Sequence, residues 1–371
     1  MSYIRQLIVK YNLMINQYLK STFLFVLACL SVNISAQNWT EVKQSDLSER
    51  EQDRKLFPVK HLTYKLDIED MRARLLSAEK ENKGNRSATM ISLPMADGTF
   101  ELFAFHRADV FHPKLAARYP AIQAYTGYNV DNPLQIVKLS MSQKGMDAMI
   151  FGGSHEKIFI DRYADGDEEH YLSYYKKDYP RNLLQPFTCE VIHPDDGYVP
   201  PKNLEGGERY GDCTLRTYRL ALACTGEYAQ FHGGTVESVL AEYNTSMNRI
   251  NGIYERDAAI TMVLIENTDE LIFMQANTDP YTNNNGGAML NQNQTTIDQT
   301  IGSANYDIGH VYSTGGGGIA QLRSPCGNSK ARGVTGLGSP VNDPFYVDFV
   351  AHEAYLVSYK IYIKWIIYRA P

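Results

Sequence analysis

The sequence VDFVAHE occupies residues 347–353, and its last two residues, His352 and Glu353, open the pattern H-E-x-x-H. In that pattern, histidines four positions apart share one face of a helix and bind zinc, while the glutamate accepts a proton from the metal-bound water. Four positions after His352 this chain has Leu356, whose side chain has no atom that could bind a metal. The stretch therefore predicts a helix that presents one metal ligand, His352, beside one general base, Glu353.

Length and composition indicate a globular, acidic protein. The chain has 371 residues, of which 44% are hydrophobic and 21% charged, with a formal net charge of −6. This length is enough for two domains, and the composition excludes a disordered chain. The acidic balance argues against nucleic acid as a partner.

The first 36 residues have the features of a signal peptide. Basic residues precede a short apolar run, Phe23–Leu30, and small residues follow it. The run is shorter than the ~20 residues of a membrane-spanning helix, and we expect no membrane span elsewhere in the chain. The sequence therefore predicts a secreted or periplasmic protein. A lipid anchor on Cys29 is the alternative, although Leu27 is unusual two positions before a lipidated cysteine.

The predicted secondary structure changes near residue 205. Residues 38–90 are charged and favour helices, and residues 91–178 carry short alternating runs typical of strands. Residues 179–212 contain many prolines and the composition of a linker, so we place a domain boundary there. The second half alternates strand and helix patterns, which is an α/β layout: strands at 215–224, 259–265 and 306–312, and helices at 236–254 and 288–301.

Four stretches of the second half occur in the order of a known family: Leu215–Tyr228, Asn248–Asp257, Asn305–Leu322 and Val347–Glu353. In sequence and in order, these stretches resemble the exported bacterial zinc metallopeptidases of the reprolysin-like (adamalysin-type) metzincin family. Residues 91–178 resemble the propeptide that precedes such catalytic domains.

This resemblance implies an α/β (α+β) metzincin-like catalytic domain, incomplete at the C-terminus, behind a β-rich propeptide-like domain. Residues 38–205 would be the propeptide-like part, and residues 206–353 the upper part of the peptidase domain, built from a mixed sheet and two long helices. The resemblance further implies zinc as cofactor and proteins or peptides as substrates. By the same match, His352 is the first zinc ligand and Glu353 the general base. The oligomeric state is not indicated.

Residues 354–371 depart from the family pattern. The glycine and third histidine of the long form H-E-x-x-H-x-x-G-x-x-H would fall at Tyr359 and Tyr362, and no histidine follows Glu353. One interpretation is an aberrant tail created by a frameshift or insertion junction; the other is a hydrophobic strand that belongs to the fold. We therefore expect a secreted zinc-dependent metalloendopeptidase family member, truncated and inactive in this copy. The alternative is a non-catalytic, propeptide-like module that binds or inhibits.

Four cysteines lie beyond the signal segment: Cys189, Cys213, Cys224 and Cys326. In an exported chain they allow two disulfides with three possible connectivities. The family resemblance implies a different role for Cys189, a cysteine switch in which a propeptide thiolate blocks the zinc. A disulfide from Cys189 to Cys213 or another partner remains the alternative.

Two further features have less specific patterns. The run Gly315–Gly318 lacks the lysine and hydroxyl residue of a phosphate loop, so it predicts either a flexible loop or, by the resemblance, the upper rim of a substrate cleft. His310 lies on a predicted strand and is expected to be a structural histidine.

Overall fold

A computed structural model describes residues 38–80, 88–153, 156–180, 189–192, 214–322 and 324–358. The predictions for the signal segment 1–36, for Cys29 and Cys213, for the boundary at 205/206 and for residues 359–371 fall outside these ranges. The described residues from Trp39 onward belong to one compact unit. Within the described ranges, no helix combines the length and hydrophobicity that crossing a bilayer requires.

The N-terminal region forms an antiparallel sheet with the strand order β1-β2-β9-β8-β7-β6-β5-β4-β3. Its strands are β1 Trp39–Glu41, β2 Leu62–Leu66, β3 Thr89–Pro94, β4 Phe100–Ala108, β5 Gln123–Asn129, β6 Gln135–Ser142, β7 Gly145–Gly152, β8 Ile158–Arg162 and β9 His170–Tyr175. Two α-helices accompany it, α1 Ile68–Leu76 and α2 Pro113–Arg118, with 3₁₀ helices at Gln44–Asp53 and Lys176–Asp178.

The second region is a mixed sheet with the order β10-β14-β15-β13-β11-β12. Its strands are β10 Cys189–Ile192, β11 Arg216–Cys224, β12 Ile260–Leu264, β13 Ile308–Ser313, β14 Gly317–Gln321 and β15 Gly333–Gly336. Its α-helices are α3 Gly226–Phe231, α4 Val236–Ala258, α5 Gly286–Thr300 and α6 Pro344–Ser358, and short 3₁₀ turns lie at Thr268–Leu271 and Ser303–Asn305. β14 runs antiparallel to β15, and the other neighbouring strands pair in parallel.

Helix α4 lies between the two sheets. It starts at a capping box, in which the Thr235 and Ser238 side chains bond each other's main-chain N–H, and it ends at Ala259 in the left-handed conformation. Its apolar positions pack against the second sheet, and its polar positions contact β5, β6 and β7 of the N-terminal sheet. The helix is therefore buried on both sides. For the same reason β6 and β7 are buried on both faces.

The helix and strand predictions of the second half are confirmed to within a few residues, as is the helix at Ile68–Leu76. Three differences stand out. Residues 38–90 also contain strands β1 and β2 and the start of β3, and the helical pattern at 49–55 belongs to a 3₁₀ helix that ends at Asp53. Within the predicted linker, Cys189–Ile192 is a strand of the second sheet. Residues 354–358, the start of the predicted aberrant tail, continue helix α6.

Candidate active site

Helix α6, which carries His352 and Glu353, is fixed at its start by Asp343. The Asp343 carboxylate accepts hydrogen bonds from the main-chain N–H of Phe345 (2.7 Å) and Tyr346 (3.0 Å), and Pro344 occupies the first helical position. Both features favour helix initiation, because they satisfy or remove N–H groups that have no partner inside the helix. Burial raises the pKa of Asp343 to about 6, despite the two hydrogen bonds, which lower it.

One face of α6 packs into the core beside α4. The buried side chains on this face are Tyr346, Val347, Val350, Ala351 and Ala354. The Tyr254 hydroxyl of α4 donates to the Ala351 carbonyl at 2.5 Å. On another side, Asp348 forms ion pairs with Lys157 (3.5 Å), just before β8, and with Lys176, just after β9. The orientation of α6 is therefore set by α4 and by the N-terminal sheet together.

Glu353 is fully buried against strand β14. A methyl group built on Gly318 would lie 2.6 Å from Glu353 Cγ and closer still to its carboxyl carbon, so any larger residue there would displace the buried Glu353 side chain. The preceding residue, His352, is exposed on α6. Neighbouring atoms still desolvate its imidazole enough to lower its pKa. The two predicted site residues are thus adjacent in sequence but face different surroundings.

The strand β14 beside Glu353 is paired on both sides. Gly318 pairs with Thr335 of β15 and, on the other side, with Cys189 of β10. The main chain of Cys189 therefore lies one strand away from the glycine that contacts Glu353. Of the glycine run, Gly317 and Gly318 form part of β14, and Gly315 packs against the main chain of Asn283. Sequence reasoning named Cys189 and the glycine run but did not connect them.

The donor set on α6 does not fit a catalytic zinc ion. Catalytic zinc sites use three protein ligands, and position 356, one helical turn beyond His352, holds leucine. Throughout the ranges described above, no three His, Cys, Asp or Glu side chains come close enough to hold a metal.

The remaining predicted site residues lie in the core or at the surface. His310 is buried, its Nε2 lies 2.8 Å from Thr335 Oγ1, and burial lowers its pKa to about 3. Cys224 is a buried free thiol whose pKa burial raises to about 12, and Cys326 is an exposed free thiol. These two cysteines are therefore not bonded to each other.

Comparison with known families matches residues 214–355 to the metallo-peptidase family M12B, reprolysin-like. The matched segment begins just before β11 and includes His352 and Glu353 on α6. No curated protein matches the chain. Residues 214–355 thus match the reprolysin-like metallopeptidases of family M12B, which is the family that the sequence motifs indicated.

Proposed function

We propose that this protein is a secreted member of the zinc-dependent metalloendopeptidases that, as its sequence stands, neither holds a catalytic zinc ion nor cleaves peptide bonds. The observation that carries the proposal is Leu356 on α6, one turn after His352. A single imidazole cannot replace the three ligands that catalytic zinc requires. When bound, such an ion would activate a water molecule, and Glu353 would be the group to accept its proton.

The zinc content of the purified protein tests this proposal directly. We expect well under one zinc per chain and no casein cleavage that a chelator abolishes. His352→Ala serves as the matched control, because it removes the one predicted ligand on the exposed side of α6. One zinc per wild-type chain that is lost in His352→Ala, together with chelator-sensitive cleavage, would contradict the proposal.

We further propose that β10 covers the peptide-binding edge of the domain and makes the N-terminal region an inhibitory module. An extended peptide binds a protein by adding a strand to an exposed sheet edge. β10 already pairs with β14 from Cys189↔Gly318 to Ile192↔Gln321, so a substrate could not use that edge. This arrangement favours the inhibitory alternative for residues 38–205 whether or not zinc binds.

The same register supports Cys189 as a residue of the cysteine-switch type, since its main chain lies beside the glycine that contacts Glu353, but in a chain without zinc its thiolate would have no ion to block. A free Cys189 thiol is required for this role. Mass spectrometry of the non-reduced, digested protein distinguishes the alternatives. A peptide in which Cys189 is disulfide-linked to Cys213 would exclude the switch.

Export is the remaining part of the proposal. We expect signal cleavage near residue 36, so that the mature chain starts close to Asn38. N-terminal sequencing of protein recovered from the periplasm or culture medium checks this. A lipid-modified Cys29 at the mature N-terminus would instead support the anchored alternative.

A further inference from the structure

The N-terminal region and the metallopeptidase domain share a hydrophobic core. "N-terminal sheet" here means β1–β9 together with α1, α2 and the loops that connect them. Its contribution to the shared core is Val110, Phe111, Leu115, Ile122 and Ala124, which cluster with apolar residues of α4, β11 and β12. Apolar surface that two parts bury together becomes exposed when they separate, at about 25 cal/mol per Å². Separation would thus open the core of the metallopeptidase domain to water.

The N-terminal sheet also closes the outer edge of β12. The Leu264 N–H donates to the Val110 carbonyl at 2.8 Å, and the His112 N–H donates to the Leu264 carbonyl at 2.8 Å. Phe111 therefore continues the sheet beyond β12 as a parallel bridge. Next to this bridge, Arg118 pairs with Asp269 at 2.8 Å. With β10 on β14, both edges of the metallopeptidase sheet are covered by residues that precede it in sequence.

The polar side of α4 is bonded to the N-terminal sheet. Three side chains of α4 donate to main-chain oxygens of its strands: Asn244 to Gln123 (2.9 Å), Asn248 to Leu139 (2.9 Å) and Arg249 to Ala148 (3.1 Å). Arg249 also forms an ion pair with Asp161, and both side chains are only 2% exposed. Main-chain oxygens of a sheet are fixed acceptors, so these bonds specify one docking position.

Close approach of α4 to the sheet depends on Gly252. A methyl group at this position would lie 2.8 Å from Lys138 Cγ and 2.8 Å from Phe151 Cζ. Lys138 is 3% exposed in its side chain and pairs with Glu255, one turn further along α4, at 2.5 Å. The Lys138 ammonium group also donates to Thr126 Oγ1 at 2.9 Å, so both of its partners are fixed. Shape and charge are thus matched along the helix from Asn244 to Glu255.

We infer that the N-terminal sheet is a permanent structural partner of the metallopeptidase domain and stays bound after the connecting chain is cut. If the N-terminal sheet dissociated after cleavage, the polar side chains of α4 would lose their hydrogen-bond partners. The β12 edge and the shared core would also become exposed to water. Such an exposed apolar surface drives aggregation of the part left behind. Retention of the N-terminal sheet requires neither zinc nor catalysis, so it can be tested independently of the proposed lack of activity.

The test uses the full signal-free chain with a site-specific protease sequence inserted between Pro201 and Lys202. After complete cleavage, verified on a denaturing gel, the sample is run on size-exclusion chromatography in native buffer at micromolar concentration. We expect both fragments in one peak at the elution volume of the uncut chain, with separation only in denaturant. Two separate peaks, or precipitation of one fragment while the other remains in solution, would overturn the inference.

Two matched substitutions locate the retention surface. Glu255→Gln removes the partner of Lys138 across the interface and should raise the dissociation constant of the cut complex at least about tenfold. Glu168→Gln likewise removes one carboxylate of an ion pair, here the more exposed pair with Arg72 at 2.8 Å inside the N-terminal sheet, and should leave that constant unchanged. Equal dissociation constants for the two variants would contradict the assignment of α4 as the retention surface.

Hydrogen exchange gives a second readout that needs no variant. The Leu264 amide donates to Val110 across the interface, so its protection in the uncut chain should persist after cleavage. Loss of that protection in the cut sample would overturn the inference even if the fragments still co-eluted.

Discussion

Gly318 and Glu353 are in contact across the β14–α6 interface, and a methyl group at position 318 would come within 2.6 Å of Glu353 Cγ. We predict that Gly318→Ala destabilises the fold by about 1–3 kcal/mol, because the added methyl group must push either the Glu353 side chain or the strand aside. Gly316→Ala is the matched control, since a methyl group there would have no heavy atom within 4 Å. Urea unfolding of both variants checks the prediction, and equal midpoints would contradict the position of Glu353.

Asp343, which caps α6, should make the protein less stable as pH rises. Its pKa in the folded state is about 6, above the 3.8 of a free aspartate, so the proton stabilises the fold. This contribution is complete below pH 3.8 and is lost as pH rises through 6, by up to about 3 kcal/mol. Asp343→Asn keeps a good capping residue and removes the titration. We expect its unfolding free energy to exceed that of the wild type at pH 7 and to converge with it near pH 4. A wild-type advantage at pH 7 would show that the ionised cap is the better one.

His310 should have the opposite pH dependence. Its folded-state pKa is about 3, well below 6.5, because the buried imidazole resists protonation. The stability from the neutral ring is complete above pH 6.5 and is lost as pH falls towards 3, by up to about 5 kcal/mol. His310→Gln has no such titration, so the unfolding free energy of the variant should fall less between pH 6.5 and 3.5 than that of the wild type. Equal slopes would mean that another group controls acid unfolding.

The helices and strands of the second half could be predicted because the hydrophobic pattern of each is complete within its own stretch of sequence. Apolar residues recur at helical spacing from Val236 to Tyr254, and the buried strands β11 and β12 read as apolar runs. What the pattern could not reveal is the partner on the opposite side of α4. Asn244, Asn248 and Arg249 lie where a surface helix would face water, yet the N-terminal sheet buries them.

Strand β10 and the surroundings of Glu353 escaped prediction for a related reason. A four-residue strand within a proline-rich segment is indistinguishable from linker, since its pairing depends on β14, more than a hundred residues away. The motif letters identified His352 and Glu353 as candidates but gave no sign that one would be exposed and the other buried. The glycine run is consistent with a close approach of another element, but the sequence does not indicate that this element is α6, where Glu353 contacts Gly318.

The buried pair Arg249–Asp161 should be strongly coupled. Replacing Arg249 with methionine leaves the Asp161 carboxylate without its compensating cation in the core, while the Tyr174 hydroxyl still donates to it at 2.6 Å. We expect a loss of about 3–5 kcal/mol in the free energy of unfolding. The double variant Arg249→Met, Asp161→Asn should recover part of that loss, because the unpaired charge is gone. A double-mutant cycle from urea unfolding measures the coupling, and additive effects would rule it out.

Leu356→His should create zinc affinity that the wild type lacks. The substitution places a second imidazole one helical turn after His352 and so restores the H-E-x-x-H spacing on α6. Two histidines bind zinc more weakly than the three ligands of a catalytic site, so we expect binding without chelator-sensitive proteolysis. Isothermal titration with zinc measures the gain, and the double variant Leu356→His, His352→Ala should lose it. Equal zinc affinity in Leu356→His and in that double variant would show that His352 is not positioned to act as a ligand, and would remove the one metal-binding role that the sequence assigns to it.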